Sequence, residues 1–315
     1  MSTNQLENPL RIKITGNCNR NCFFCHREGG MDIEDIKFSR KWKTVIEEIS
    51  AVFGIRTIAV TGGEPFCYDN ILSLYNDFSH CKGITQLSMT TNGTIEKDEN
   101  FWIEAKNAGL YKVNISMPDI LASIGPEGVL NLTNSPFSRQ FRTIEKLYGV
   151  GIRVKLNCAI FHDYIYSVTV LRSLLELEHV DIVLLPNLSN QKTFNYSWEI
   201  IEELLREFNF KEVGIRRRYH TSDTLLQYEN ETGKRVDVKT TKYDDFCFDA
   251  LCKNCWNKNQ CQEGFYGIRM EQRKGEPYVR LCLHRSDEDV LMPADRFLSS
   301  RTKDRLKEMW TYHEE

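Results

Sequence analysis

Three cysteines, Cys18, Cys22 and Cys25, follow one another with C-x3-C-x2-C spacing. Three thiolates on one short stretch can converge on a single metal centre. On a [4Fe–4S] cluster they leave the fourth iron without a protein ligand and able to hold a chelating small molecule. With His26 as a fourth donor, the same stretch suits zinc. A second group, Cys252, Cys255 and Cys261 in C-x2-C-x5-C spacing with Cys282 downstream, supplies four thiolates. Four are full ligation for zinc or for a [4Fe–4S] cluster. Cys67, Cys81 and Cys158 lie apart in apolar surroundings and read as buried structural thiols. Cys247, five residues before the second group, is ambiguous on sequence.

Composition narrows what can surround these groups. The chain has 315 residues, room for two average domains or one large α/β barrel with an appendage. Its 41 Lys and Arg nearly balance 44 Asp and Glu, for a net charge of −3, which argues against a broad electrostatic hold on nucleic acid. Hydrophobic residues make up 41%, enough for a substantial core. No apolar run approaches the roughly 18–20 residues of a membrane span, and Met1–Pro9 lacks a signal-peptide core. The expectation is a soluble, cytoplasmic protein. Eleven cysteines without an export signal are then mostly reduced, and an odd count does not suit a full disulfide framework.

The elements that must position the cysteines alternate. Strands are predicted at Leu10–Ile14, Arg56–Val60, Gln86–Thr90, Tyr111–Ser116, Arg153–Ala159 and Asp181–Leu185. Between them fall helices from Ser39 to Phe53, Asn70–Ser79, Glu96–Ala108, Arg139–Gly149 and Tyr164–Glu178. Alternation of this kind means βαβ units and a parallel sheet. Polar clusters recur where strands end, at Asn17–Arg27, Thr61–Pro65, Thr91–Gly93 and Ser116–Asp119. In a barrel those ends share one face, where catalytic groups collect. The fold expected is therefore a partial (β/α)6 TIM-type barrel over residues 1–220, followed by a C-terminal extension over 221–315 whose cysteine group suits zinc or an iron–sulfur cluster. The long loop Pro118–Pro136 is too long for a plain connector and is a functional candidate. After a helix at Trp198–Phe208 the regularity fades, apart from a polar hairpin turning near Glu231-Thr232-Gly233. Arg301–Glu315 reads as a charged, solvated helix. No GxGxxG or GxxxxGK[ST] follows the first strand, so neither dinucleotide nor P-loop binding is indicated.

At the end of the second strand stands Thr61-Gly62-Gly63-Glu64-Pro65. Two glycines there allow close approach of the backbone, and a carboxylate beside them can accept hydrogen bonds from an ammonium group. Following C-x3-C-x2-C by one strand, this pair of motifs resembles the radical S-adenosylmethionine (SAM) superfamily, in its MoaA-like branch. Weaker matches support it: Leu10-Arg11-Ile12, TTNG at 90–93, VNIS at 113–116 and VKLN at 154–157.

The resemblance implies a [4Fe–4S] cluster on Cys18, Cys22 and Cys25 whose open iron binds the methionine part of SAM. It places the SAM amino group at Gly62, Gly63 and Glu64, the adenine near Phe24, and the ribose and methionyl parts near Asn92 and Ser116. Reductive cleavage of SAM would give a 5′-deoxyadenosyl radical that abstracts hydrogen from substrate. The branch also carries an auxiliary [4Fe–4S] cluster, matched by Cys252, Cys255 and Cys282. Cys261 departs from that set and is similar to the SPASM extension of peptide-modifying relatives, and as a fourth ligand it would close the cluster. Arg11, Lys155 and Arg269 match catalytic or phosphate-contacting positions.

Other cations of the family's GTP site are missing: Thr57, Ala59 and Gly267 stand where basic residues are expected, and Tyr312-His-Glu-Glu replaces a Gly-Gly tail. The expected substrate is therefore a small polar molecule other than GTP, nucleotide- or sugar-derived, with a reductant such as flavodoxin or ferredoxin as partner. The alternatives are a peptide-modifying maturase, and a zinc-stabilised binding protein that uses both cysteine groups structurally. Arg216-Arg217-Arg218 reads first as a solvated edge, and the five tryptophans as packing.

Overall fold

A computed structural model describes residues 8–22, 25, 33–117, 136–161, 163–217, 221, 224–240 and 247–311. Phe24, His26, residues 118–135 of the long loop, Arg218 and residues 312–315 lie outside them. The first half alternates strictly: β1 (Leu10–Lys13), α1 (Arg40–Phe53), β2 (Thr57–Thr61), α2 (Ile71–Ser79), β3 (Gln86–Thr91), α3 (Glu99–Asn107), β4 (Leu110–Ser116), α4 (Pro136–Gly149), β5 (Arg153–Ala159), α5 (Tyr164–Leu175) and β6 (Val180–Leu185). There follow α6 (Gln191–Glu207), β7 (Lys211–Arg217), β8 (Thr224–Glu229), β9 (Arg235–Thr240), α7 (Asp249–Cys252), β10 (Arg269–Arg273), β11 (Glu276–Arg280), β12 (Leu291–Pro293), α8 (Ala294–Leu298) and α9 (Arg301–Thr311).

Local chemistry explains the boundaries. The Ser39 hydroxyl accepts a hydrogen bond from the Trp42 N–H, starting α1, and Gly54 ends it in the left-handed region at φ 65°. Along α1, Trp42, Val45, Ile46, Ile49 and Phe53 face the sheet and are buried. Each such side chain contributes about 1.5–3 kcal/mol when fully removed from water. The inner strand β2 is buried along its whole length, on both faces, and so carries a near-continuous apolar run.

The strands form one sheet in the order β12-β11-β10-β1-β2-β3-β4-β5-β6-β9-β8-β7. From β1 to β6 every neighbour is parallel, as the alternation predicts. The C-terminal residues extend both edges. β9 adds parallel to β6, with β8 paired beside it through the hairpin expected to turn near Glu231-Thr232-Gly233, and β10 adds parallel to β1, setting Arg11 opposite Arg269. Six strand-to-strand steps separate β1 from β9, about 29 Å if the sheet were flat. Yet Arg11 of β1 and Lys239 of β9 both reach the Tyr266 ring, at 4.7 and 4.1 Å from its centroid. The sheet is therefore curled into a partial barrel, and Tyr266 spans its opening.

Two expectations need correcting. The region after α6 is not irregular: β7 and β10–β12 are regular strands. The C-terminal helix α9 is docked, with Leu306 fully buried and the Trp310 ring 5.3 Å from that of Phe53. Four of the tryptophans pack as expected, whereas Trp256 is 81% exposed beside Cys255. Within the arginine run, Arg216 is ion-paired with Asp237 of β9.

Candidate active site

The first cysteine group lies on the loop after β1, and the end of β2 holds the root of that loop in place. The Gly63 N–H donates to the Thr15 carbonyl at 2.9 Å, and the Glu64 N–H to the Asn17 carbonyl at 2.8 Å. A Cβ on Gly62 would fall 2.4 Å from the Thr15 carbonyl oxygen, and one on Gly63 would fall 2.0 Å from that of Asn17. Both glycines are thus required by the approach of backbone to backbone, and Gly62 also has φ 141°. Thr15 adds its hydroxyl, which donates to Asp35 at 2.5 Å and accepts from the Asn17 N–H at 3.0 Å.

Glu64 is buried, with 1% of its surface exposed. Its carboxylate accepts from the Thr91 hydroxyl at 2.6 Å, the Asn92 N–H at 2.7 Å and the Phe66 N–H at 3.2 Å. Burial pushes this carboxyl up, and those three donors oppose it. The side chain ties the end of β2 to the end of β3. Asn92 extends the tie to the cysteine loop. Its Nδ2 donates to Asn19 at 2.8 Å, while its Oδ1 accepts from the Thr94 N–H at 2.9 Å. Asn19 in turn donates to the Thr94 hydroxyl at 3.0 Å. Asn19 and Thr94 belong to this anchor, and nothing in their spacing marked them beforehand.

Cys18 and Cys25 are exposed and Cys22 is half-buried, with the Cys25 N–H donating to the Cys22 carbonyl at 3.1 Å. Burial pushes the Cys18 thiol up, and the nearby Glu64 and Cys25 add to it. Cys67, expected as a buried structural thiol, is half-buried and close enough to Cys18 and Glu64 to feel both. Cys81 and Cys158 are buried as expected, and burial pushes both thiols up to about 12.

Inside the curl lies a cavity of about 270 Å³. Its wall takes Thr61, Thr90, Ser116, Asn157 and Ala159 from the C-terminal ends of β2 to β5, and Arg11, Lys239, Tyr266 and Arg269 from the side where β1, β9 and β10 meet. Ser116 and both predicted arginines are thus brought to one cavity. Lys155 is on the same face of β5 as Asn157, one pleat deeper. Lys239 and Tyr266 were missed by sequence reasoning, because their place depends on strands outside the local alternation.

The second cysteine group surrounds a separate pocket lined by Cys247, Cys252, Cys255, Cys261 and Cys282. Cys247, undecided on sequence, therefore belongs with the other four. The Gly264 N–H donates to the Cys261 sulfur at 3.3 Å, a contact that suits a thiolate. Arg285 adds a positive charge felt by Cys255 and Cys282. Among the described residues, no three Cys, His, Asp or Glu groups are drawn tightly enough to chelate one ion, in either cysteine group.

A curled parallel sheet with a cysteine-bearing loop anchored at the C-terminal ends of its strands is the architecture of a barrel enzyme. A family model for the radical SAM superfamily matches residues 12–169, and the chain belongs to that superfamily. Membership implies SAM and a [4Fe–4S] cluster, and the anchored loop with its three thiols fits both. The chain is similar to a probable GTP 3′,8-cyclase from Methanococcus aeolicus, 31% identical over 269 residues, 78% of this chain and 84% of the relative. A probable GTP 3′,8-cyclase from Sulfolobus acidocaldarius is 38% identical over 150 residues, which are 47% of this chain and 45% of that protein. Among solved structures, methylornithine synthase aligns with a TM-score of 0.46 at 13% identity, covering 64% of this chain and 63% of that one. Among the described residues, no helix is long and apolar enough to cross a membrane.

Proposed function

We propose that this enzyme cleaves SAM reductively and abstracts hydrogen from a small polar substrate other than GTP, using a second, auxiliary cluster. The observation that carries the reading is the anchoring of the Cys18–Cys25 loop to Gly63, Glu64 and Asn92 at the mouth of a polar cavity. Cys18, Cys22 and Cys25 would hold the cluster that takes SAM. When bound, the two supply a 5′-deoxyadenosyl radical. The chain's own contribution is position and shelter. Gly62 and Gly63 let the loop root lie against the end of β2, Glu64 and Asn92 hold that end to β3, and the barrel wall keeps water from the reacting atoms. Ser116, with Asn157 beside it, lines the cavity where SAM and substrate would meet. Cys252, Cys255, Cys261 and Cys282 would hold the auxiliary cluster, with Cys247 against Cys252 as an extra thiol.

The substrate assignment rests on the missing cations at Thr57, Ala59 and Gly267, positions where a GTP site resembling that of the relatives needs charge. Anaerobic reconstitution with iron and sulfide, followed by a 5′-deoxyadenosine assay with SAM and dithionite, tests the proposal. About eight irons per chain with 5′-deoxyadenosine formation is the expected result. Zinc in both groups with no SAM cleavage would overturn it. GTP in the same assay should yield no cyclised product.

A further inference from the structure

The second cysteine group is assembled from two stretches of chain, and one side chain bridges them. Cys252 closes the short helix α7, whereas Cys282 follows β11. The Arg285 guanidinium donates to the Leu251 carbonyl at 2.8 Å, directly before Cys252. The Arg285 carbonyl accepts from Arg280 at 3.0 Å, and Arg280 also donates to the Cys282 carbonyl at 3.4 Å. Arg285 is thus held from the Cys282 side and grips the Cys252 side.

Arg285 also lines the pocket that the five thiols surround. Leu251, Phe265, Leu281 and Val290 give that wall an apolar character, and none of the described residues lining it is a carboxylate. The acidic partners of Arg285 stand farther out. Asp287 accepts from it at 2.7 and 2.8 Å, and Asp289 lies 3.8 Å away. The Arg285 side chain is 15% exposed, against 47% for Asp287 and 80% for Asp289. Water therefore screens the carboxylates more than the guanidinium, and part of the positive charge is left to act on the pocket. Lys258 and His284 line it too, but both are exposed.

We infer that Arg285 is a positioning residue of the second cysteine centre: it ties the Cys252 turn to the Cys282 turn and keeps a positive charge beside their thiolates. The inference rests on the proposed auxiliary cluster and deepens it. A thiolate-ligated cluster becomes more negative when it takes up an electron from a flavin or iron–sulfur donor. A cation held beside it in an apolar wall favours that reduced form and raises the reduction potential. Asp287 works the other way, because its carboxylate offsets the guanidinium. Arginine suits both tasks, since one planar fork reaches a carbonyl and a carboxylate at once, where lysine offers a point charge.

The test is a redox titration followed by electron paramagnetic resonance on the reconstituted full chain. Cys18→Ser, Cys22→Ser and Cys25→Ser are combined in a parent so that the second centre alone reports, and this parent should hold about four irons. Added to it, Arg285→Gln should lower the midpoint potential and release iron to a chelator several-fold faster. Arg285→Lys should restore the potential and part of the iron retention. Asp287→Asn should raise the potential, and it carries the test should Arg285→Gln not take up iron. Opposite shifts from the two partners of one ion pair are the signature of charge, which a merely structural disturbance has no reason to produce. Shifts of the same sign, or no shift in either variant, overturn the role of Arg285 while leaving the cluster in place. Zinc instead of iron in the parent overturns the auxiliary cluster itself, so the two failures are told apart.

Discussion

The Cα of Gly63 lies so close to the Asn17 backbone that a Cβ would come to 2.0 Å from the Asn17 carbonyl oxygen. That contact joins the TGGEP turn to the base of the cysteine loop. Gly63→Ala must therefore push the loop away, breaking the 2.9 Å bond from the Gly63 N–H to Thr15. The expected outcome is loss of the first cluster with retention of the second, read as about four irons per chain in place of about eight. Gly54→Ala is the matching control. Its φ of 65° strains an alanine by about 1–2 kcal/mol, but nothing lies within 4 Å of the new Cβ. It should lower the unfolding midpoint and leave iron content unchanged.

Glu64 joins β2 to β3 through three donors on one buried carboxylate. In Glu64→Gln an amide NH2 must face an N–H or O–H, so one donor is left unsatisfied. The expected cost is about 1.5–3 kcal/mol, measured by anaerobic thermal unfolding. Because Asn92 hangs from the same carboxylate and also holds Asn19, the variant should lose SAM-dependent 5′-deoxyadenosine formation as well. A variant with unchanged unfolding would show that the tie is not structural.

Five thiols line the second pocket, and one [4Fe–4S] cluster takes at most four protein ligands. With Cys252, Cys255, Cys261 and Cys282 as ligands, Cys247→Ser should retain about eight irons, while Cys255→Ser should fall to about four. The converse pattern would move Cys247 into the ligand set. Iron and sulfide analysis after anaerobic reconstitution decides between them.

The β/α half and the two motifs, the cysteine spacing and TGGEP, were legible because their signals are local, whereas the packing of Gly63 and Glu64 against the root of the cysteine loop was not. Ser39 and Gly54 bracket α1 as caps, and TGGEP falls at a strand end that its own apolar run announces. The C-terminal strands were not legible, for two reasons. β10, Arg-Met-Glu-Gln-Arg, is almost wholly buried yet charged, because ion pairs take the place of apolar alternation. Its partner β1 is over 250 residues away in sequence, so no periodicity within either segment reveals the pairing. Lys239 and Tyr266 inherit that difficulty: each is an ordinary polar residue until β9 and β10 close on the barrel. Cys247 was visible as a thiol near a cluster motif, but only the shared pocket places it with the others.

The ion network that replaces apolar packing at β10 makes stability depend on pH. Glu271 is fully buried, 3.2 Å from the Lys13 ammonium, and it accepts from Arg280 at 3.0 and 3.1 Å and from Arg273 at 2.5 Å. Burial pushes its carboxyl up, but the Arg280 hydrogen bonds and the Lys13 charge outweigh burial and hold it down at about 2. An unfolded glutamate titrates near the ordinary 4.5. Stability from this group is thus fully present above pH 4.5 and is lost as pH falls toward 2, a difference on the order of 3 kcal/mol. Glu64 has the opposite sign. Burial raises its carboxyl, so the group costs stability once ionised, and acidification through its own window relieves that cost. Glu271→Gln separates the two. It leaves Lys13, Arg273 and Arg280 without their shared anion, so the variant should be several kcal/mol less stable at pH 7. Its urea midpoint should then fall little between pH 4.5 and 3, where that of the wild type drops. A wild-type midpoint that stays flat over this interval would show that Glu271 is not held as a carboxylate by these three cations.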